Sequence, residues 1–424
     1  MKYTEIKEEF SFQFLLLCVV VGVASAAFSY AVEFADWLCH FLYATTSWTM
    51  YVYTPLTFVV IVFLLKKYFP HADGSGLPQG YAVDIFEEEK LNKIYSINSL
   101  IGKVILTFMS IASGASLGKE GPTIQICSSL FAQIRNISDK KKRMLIKLGA
   151  GVGVAAAFNA PIGGMVFTIE EYVKKISPKI ASILVGATLI AVFVSNALLG
   201  GSKPYMGSVN PVDLHHGISI AIWGIIIGAL CGLTGAAFTK LMVFMSVNKT
   251  WVINRWRKQH YLVNAAVFGL IVAFIGHLTN GLSFGNGSGS TSIFLDTATN
   301  APWYYAIGKF FGAIASVSAG VPGGYFSTAL SIGAGIGDLL HHFVSGVPLV
   351  QFYLLGMAGF LAAITQSPIT AVAMVVELSD SSQFSLPILL ACFIASIISE
   401  QFGDSVYHQQ VLNYIEPERY KETV

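Results

Sequence analysis

The chain has 424 residues, 54% of them hydrophobic and only 12% charged, with a formal net charge of +2. Soluble domains carry about 25% charged residues, so the composition sets the soluble classes aside and fits a membrane protein. No basic stripe suggests a nucleic-acid partner. In chain order, the first apolar run, Phe12 to Val32, is long enough to span a bilayer at about 20 residues. Ala24-Ser25-Ala26 resembles a cleavage site, but Glu5, Glu8 and Glu9 precede the run and it exceeds the core of a signal peptide, so a retained first helix is expected. Met50 to Leu65 gives a second span, followed by Lys66-Lys67 and the break Gly74-Ser75-Gly76-Leu77-Pro78 after Asp73. Ile101-Gly102-Lys103 opens a segment that runs to a second break, Gly118-Lys119-Glu120-Gly121-Pro122. Beyond the basic loop Lys140 to Arg143, Asn159-Ala160-Pro161 leads to the acids Glu170-Glu171 and the basic loop Lys174 to Lys179. Ile180 to Leu199, Ile218 to Val243 and Tyr261 to Leu278 complete the clear spans.

The remainder repeats what came before. Ile307-Gly308-Lys309 opens a copy of the segment at Ile101 that runs to Gly323-Gly324-Tyr325-Phe326. The register holds without a gap: Ser110 falls on Ser316, Gly114 on Gly320, Gly118 on Gly324 and Ile126 on Ile332. Gly74-Ser75-Gly76 is echoed by Gly287-Ser288-Gly289, and Pro161-Ile162 by Pro368-Ile369. The copies differ in two acids: Glu120 falls on Phe326, and Glu171 on Leu378, while Glu170 keeps its partner Glu377. Basic residues mark cytoplasmic loops. The basic loops of the first half have nearly uncharged counterparts near His277, Ser345 and Ser381, whereas basic Arg255 to Lys258 matches uncharged Thr45 to Met50. Matching loops therefore lie on opposite sides, which predicts an inverted repeat. The expected organisation is one transmembrane domain over 1–424, with repeats at 13–200 and 217–414.

The breaks at Gly74, Gly118 and Gly323 each read as the start of a half-length helix. Glycine permits close backbone approach, and proline suits a first helical turn. The free N–H groups and dipole of such a start favour an anion, and several starts aimed at one point would hold an anion without a fixed cation. Packing glycines of the small-xxx-small kind are the simpler explanation for any one break. Three breaks at repeat-related positions, one with an intramembrane acid, favour a transport site, because such acids are costly and functional by default.

These residues resemble the CLC family of chloride channels and chloride/proton antiporters. Gly74 to Pro78 is similar to that family's GSGIP motif, Gly118 to Pro122 to GREGP with Lys119 for arginine, and Gly323 to Phe326 to GGxF. Tyr407 falls where the family places its central tyrosine. The resemblance implies an all-α membrane protein, a CLC-type inverted repeat of tilted and broken transmembrane helices. It implies that Ser75, Gly76, Tyr325, Phe326 and Tyr407 bind a dehydrated chloride, that Glu120 is the gating glutamate and that Glu171 passes protons from the cytoplasm. It also implies a homodimer in a lipid bilayer, each subunit with its own path, in a bacterial inner membrane as a multi-pass protein. Chloride is the transported ligand, protons are the counter-substrate, and no cofactor is expected.

The function expected is therefore chloride/proton exchange, not enzymatic, with a passive chloride channel of the same fold as the alternative. The presence of Glu171 favours exchange, and Ser75 disfavours the fluoride- and nitrate-handling relatives, which replace it. An intramembrane serine hydrolase is disfavoured because Asp73 stands where a nucleophile turn needs glycine, and no HExxH pattern is present. Glu170 and Glu377 are expected to bond backbone groups. Lys119 is expected to offset the charge on Glu120, and Tyr325 to narrow or polarise the outer path. Cys18, Cys39, Cys127, Cys231 and Cys392 form no C-x-x-C pair, and the adjacent pairs His215-His216 and His341-His342 point different ways, so no metal site is expected. Trp251 and Trp256 read as interface markers. The triplets at Asn136 and Asn248 fit glycosylation sequons but fall in segments placed in the cytoplasm. The related stretches Ile180 to Leu199 and Leu386 to Ile398 are candidates for the dimer face, and the short tail after Tyr414 is expected to carry no regulatory domain.

Overall fold

Long apolar runs satisfy their own backbone hydrogen bonds only as helices when they cross a membrane, and glycine or proline punctuates them. The computed structural model describes residues 12–134, 137–173, 177–201, 205, 214–247, 252–344 and 346–415. Lys174, Lys175, Trp251, Ser345 and the triplet starts Asn136 and Asn248 lie outside the described residues. In the first half the helices are α1 (Phe12–Thr45), α2 (Met50–Tyr68), α3 (Leu77–Tyr81), α4 (Glu88–Ile94), α5 (Ile97–Ala112), α6 (Glu120–Phe131), α7 (Asp139–Phe158), α8 (Pro161–Phe167) and α9 (Pro178–Leu199). A wide π turn, Thr168–Val173, continues α8. The second half contributes α10 (Leu214–Ser246), α11 (Val252–Gln259), α12 (Tyr261–Leu278), α13 (Ser288–Thr297), α14 (Tyr305–Ala319), α15 (Phe326–His341), α16 (Leu349–Thr365), α17 (Pro368–Ser379), α18 (Ser385–Glu400) and α19 (Val406–Gln410).

Seven helical stretches among the described residues are long and apolar enough to cross a membrane. They bury between a third and a half of their residues and turn the rest outward, as lipid-facing helices do. The core lies around α16, whose residues are all buried. Helix association in lipid depends on close packing rather than on hydrophobic burial, and α16 meets α15 at glycines. A Cβ on Gly333 would stand 2.1 Å from the Gly356 carbonyl oxygen, and one on Gly356 2.0 Å from that of Gly333.

Several devices recur between the halves. Buried Lys103 on α5 donates to the carbonyls of Asp73 (2.8 Å) and Gly74 (2.9 Å). Buried Lys309 on α14 donates to those of Phe284 (2.7 Å) and Gly285 (3.0 Å). Each ammonium fixes the turn before a helix start. Glu377 accepts from the N–H groups of Ile162 (3.2 Å) and Gly163 (2.7 Å), while Glu170 accepts from those of Ile369 (3.3 Å) and Thr370 (2.7 Å). Each acid caps the other half's proline-initiated helix, α8 or α17, so this pair bonds backbone as expected.

One expected element is shorter. The break at Gly74 starts α3, which lasts five residues rather than half a membrane. Gly80 lies inside it, and a Cβ there would be 2.6 Å from the Tyr172 hydroxyl. The close approach of Tyr172 requires glycine, and glycine sustains a helix poorly.

Candidate functional site

Three helix starts meet backbone to backbone. Gly76, at φ +101°, precedes α3, and a Cβ there would lie 2.4 Å from the Gly121 carbonyl oxygen. A Cβ on Gly121 would lie 2.5 Å from the Ser75 carbonyl oxygen and 3.2 Å from Gly324 Cα. Gly118 and Gly324 exchange backbone hydrogen bonds of 2.5 and 2.8 Å as an isolated antiparallel bridge, and Gly323 N–H donates to Gly74 O at 3.3 Å. Side chains are excluded here because the turns ahead of α3, α6 and α15 touch one another. The sequence-predicted residues Ser75, Gly76, Glu120, Tyr325 and Phe326 are thereby gathered into one cluster.

Tyr407 joins it from α19. Its ring stacks on that of Tyr325, with centroids 5.0 Å apart and planes 9° from parallel. Tyr407 is fully buried, yet its hydroxyl has no hydrogen-bond partner among the described residues. A buried hydroxyl without a partner costs free energy, and an anion would accept a hydrogen bond from it. Ser75 Oγ accepts from Leu77 N–H at 3.3 Å and keeps its own proton to donate. Phe326 packs against Phe158 with ring centroids 5.5 Å apart.

Two openings flank the cluster. A cavity of about 690 Å³ is lined by Gly74, Ser75 and Tyr325 together with Lys66, Arg257 and Lys258. Arg257 is held there by bonds to Asn264 Oδ1 (2.8 Å) and the carbonyls of Met245 (2.7 Å) and Ser318 (2.5 Å). A second cleft, about 270 Å³, is lined by Glu33, Asp36, Lys119, Glu120, Tyr205 and Ser327. One opening is thus basic and the other mostly acidic.

Glu120 is the first residue of α6 and is buried. Its Oε1 accepts from Ser327 Oγ, and its Oε2 from Ser327 N–H at 3.4 Å. The carboxylate folds back over Gly118, where a Cβ would be 2.3 Å from Oε2. It therefore rests against the first turn of α15. Lys119 does not bond it: the ammonium reaches Glu33 on α1 at 3.4 Å. The expected offset of the charge on Glu120 is therefore not made by a bond to that carboxylate, although Lys119 lines the same cleft. Tyr325 belongs to the other opening. Its ring faces the basic cavity, and its hydroxyl donates to Gln410 Oε1 at 2.6 Å, so it does not line the cleft beside Glu120.

Glu171 sits in the π turn and is buried, not part of a solvated helix end. Tyr81 donates to its Oε2 and Ser367 to its Oε1. Tyr81 ends α3, whose preceding turn carries Ser75, and its ring meets that of His408 at 4.3 Å. Adjacent residues diverge in a helical turn, so Glu170 reaches α17 while Glu171 turns to Tyr81.

Residues 56–400 match the family described as "Voltage gated chloride channel". The chain belongs to that family, the CLC proteins. It is 26% identical over 375 residues to the "H(+)/Cl(-) exchange transporter ClcA" of Vibrio parahaemolyticus, covering 83% of this chain and 76% of the relative. It is 25% identical over 373 residues to the protein of that name from Vibrio campbellii, with the same coverage. Among solved structures it resembles a CLC-type fluoride/proton antiporter, with a TM-score of 0.80 at 21% identity over 97% of this chain and 99% of the other. A slow cyanobacterial Cl-/H+ antiporter gives 0.79 at 23% identity over 95% and 96%. These likenesses establish the CLC fold, an all-α, multi-pass integral membrane protein.

Within this CLC chain, sequence reasoning missed three hydroxyls that hold the two glutamates: Ser327, Tyr81 and Ser367. A signal was present for two of them. In the repeat register Ser327 falls on Gly121 and Ser367 on Ala160, a polar residue against a small one in each break. Tyr81 has no such mark, because its role depends on how soon α3 ends.

Proposed function

We propose that this CLC-family chain is a chloride/proton antiporter, with Glu120 as gate and Glu171 as internal proton donor. The observation that carries the proposal is the seat of Glu120: a buried carboxylate resting on the N-terminal turn of α15, against Ser327 N–H. Helix starts favour anions, so the carboxylate occupies a place suited to chloride. Ionised, Glu120 competes with chloride for that place; protonated, it loses its hold and yields. Chloride occupancy and protonation are then linked, which is the minimum requirement for exchange.

Chloride arrives through the basic cavity, where Lys66, Arg257 and Lys258 raise the local anion concentration. It meets Ser75 and the unpartnered hydroxyl of Tyr407, with backbone N–H groups near Tyr325 and Phe326. No ammonium or guanidinium reaches those two hydroxyls among the described hydrogen bonds, which suits weak, reversible binding. The proton takes a separate route past Glu171, which the Tyr81 and Ser367 hydroxyls orient. The basic cavity is read as the cytoplasmic side, because basic residues favour that side of a membrane.

The two halves, 13–200 and 217–414, are read as inverted repeats. The exchanged caps of Glu170 and Glu377 and the antiparallel Gly118–Gly324 bridge support that relation. A homodimer in a bacterial inner membrane completes the reading. The test is made in liposomes under a chloride gradient, with no proton gradient and the voltage held at zero by valinomycin and balanced potassium. Chloride-driven proton movement that builds a pH difference where none existed is the expected result. Rapid chloride flux with flat internal pH would make the protein a passive channel.

A further inference from the structure

The carboxylate of Glu120 receives two hydrogen bonds from a single residue, and they differ in origin. The N–H of Ser327 is one of the free backbone donors of the first turn of α15, at 3.4 Å, and any residue other than proline would supply it. The hydroxyl of Ser327, which donates to Oε1, is supplied by the side chain alone. Ser327 is buried and lines the cleft with Glu120. Bonds from a hydroxyl to an ionised carboxylate are about twice as strong as those between neutral groups. The hydroxyl therefore holds the ionised, seated carboxylate more firmly than the protonated one.

We propose that Ser327 Oγ is a latch on Glu120, a positioning group that keeps the gate seated and so sets the rate of chloride turnover. The inference rests on the reading of Glu120 as the gate. The other charged and titratable groups around the carboxylate are Glu33 and Asp36 from α1, Lys119 at its own helix start, Tyr205 in the cleft and Tyr407 from α19. Of these, Lys119 is paired with Glu33. None of them donates a hydrogen bond to the carboxylate among the described bonds, so Ser327 is the group whose removal acts on the seat directly.

Chloride turnover is measured in liposomes across pH for the native protein, Ser327→Ala, Ser327→Thr, Glu120→Gln and the double variant Ser327→Ala with Glu120→Gln. Loss of the hydroxyl is expected to raise turnover roughly 3- to 10-fold near neutral pH, on the scale of the net contribution of one hydrogen bond. The pH of half-maximal turnover should rise by about one unit, because less acid is then needed to free the gate. Threonine keeps the hydroxyl and should restore native rate and pH profile. In the Glu120→Gln background the serine change should have no effect on rate. Native turnover and profile in Ser327→Ala would overturn the latch. So would an equal rise in the Glu120→Gln background, since Ser327 would then act on chloride or on packing. The antiporter reading fails separately, when chloride moves without proton counterflow, and the latch is then read on chloride flux alone. Absence of chloride flux in the native protein would overturn both.

Discussion

Glu120 and Glu171 are both buried carboxylates, but their surroundings differ. Glu120 rests on a helix start beside Gly118 and Ser327, and on the proposed reading a small displacement there frees an anion position. Glu171 is pinned between the hydroxyls of Tyr81 and Ser367, which suits the proton role proposed for it. Glutamine keeps the shape of either side chain and removes its titration. Glu120→Gln is expected to abolish chloride-driven proton movement while chloride flux stays within about tenfold of native, a barrier change of roughly 1.4 kcal/mol. Glu171→Gln is expected to stop protons and let chloride pass uncoupled. Internal pH and chloride release, recorded together in liposomes, separate the two. Normal proton movement in both variants would remove the roles assigned here.

At the scale of elements, the site depends on turns that admit no side chain. Gly76 holds φ +101°, a region that favours glycine, and faces the Gly121 carbonyl at the distance of a clash. Gly76→Ala should therefore combine backbone strain with forced separation of α3 from α6. The expected cost is about 2–3 kcal/mol or more, read as a lowered thermal midpoint in detergent, with chloride transport lost. A native midpoint and native flux would show that the helix starts need not touch. The breaks were legible in the sequence because glycines that permit close backbone approach interrupt apolar runs, two of them with a proline suited to a first turn. Glu120 was legible because an acid is costly in an apolar setting. The five-residue length of α3 was not legible, since it depends on Tyr172 packing across Gly80, distant in sequence. The partner of Lys119 was hidden for the same reason: Glu33 lies on another helix, and nothing in the Gly118–Pro122 motif points to it. Tyr325 could be placed at the site by its motif, but its side was fixed only by Tyr407 and Gln410 at the far end of the chain.

For the whole molecule, the open question is what covers its outer helices. α9 turns Val185, Leu189 and Phe193 outward at four-residue spacing, and α18 turns out Leu386, Phe393 and Ile397. Such spacing lines one helical face. Exposed apolar residues are ordinary against lipid, so exposure alone does not distinguish a dimer face from a lipid face. The distinction favouring a dimer is the repeat relation between α9 and α18, which would place two similar surfaces where a second copy can meet both. All five cysteines are buried, so Phe193→Cys would add an accessible thiol to a protein that otherwise offers none among its described residues. A short bifunctional thiol reagent applied in liposomes should then link two chains through α9, giving a species of twice the chain mass on a denaturing gel, while the parent stays single. Persistence of single chains after complete labelling would assign α9 to lipid. A linked dimer that still exchanges chloride for protons at the native rate would further indicate that the subunits do not move against each other at α9 during the cycle. That is the behaviour required if Ser75, Glu120, Glu171 and Tyr407 of one chain form a complete path.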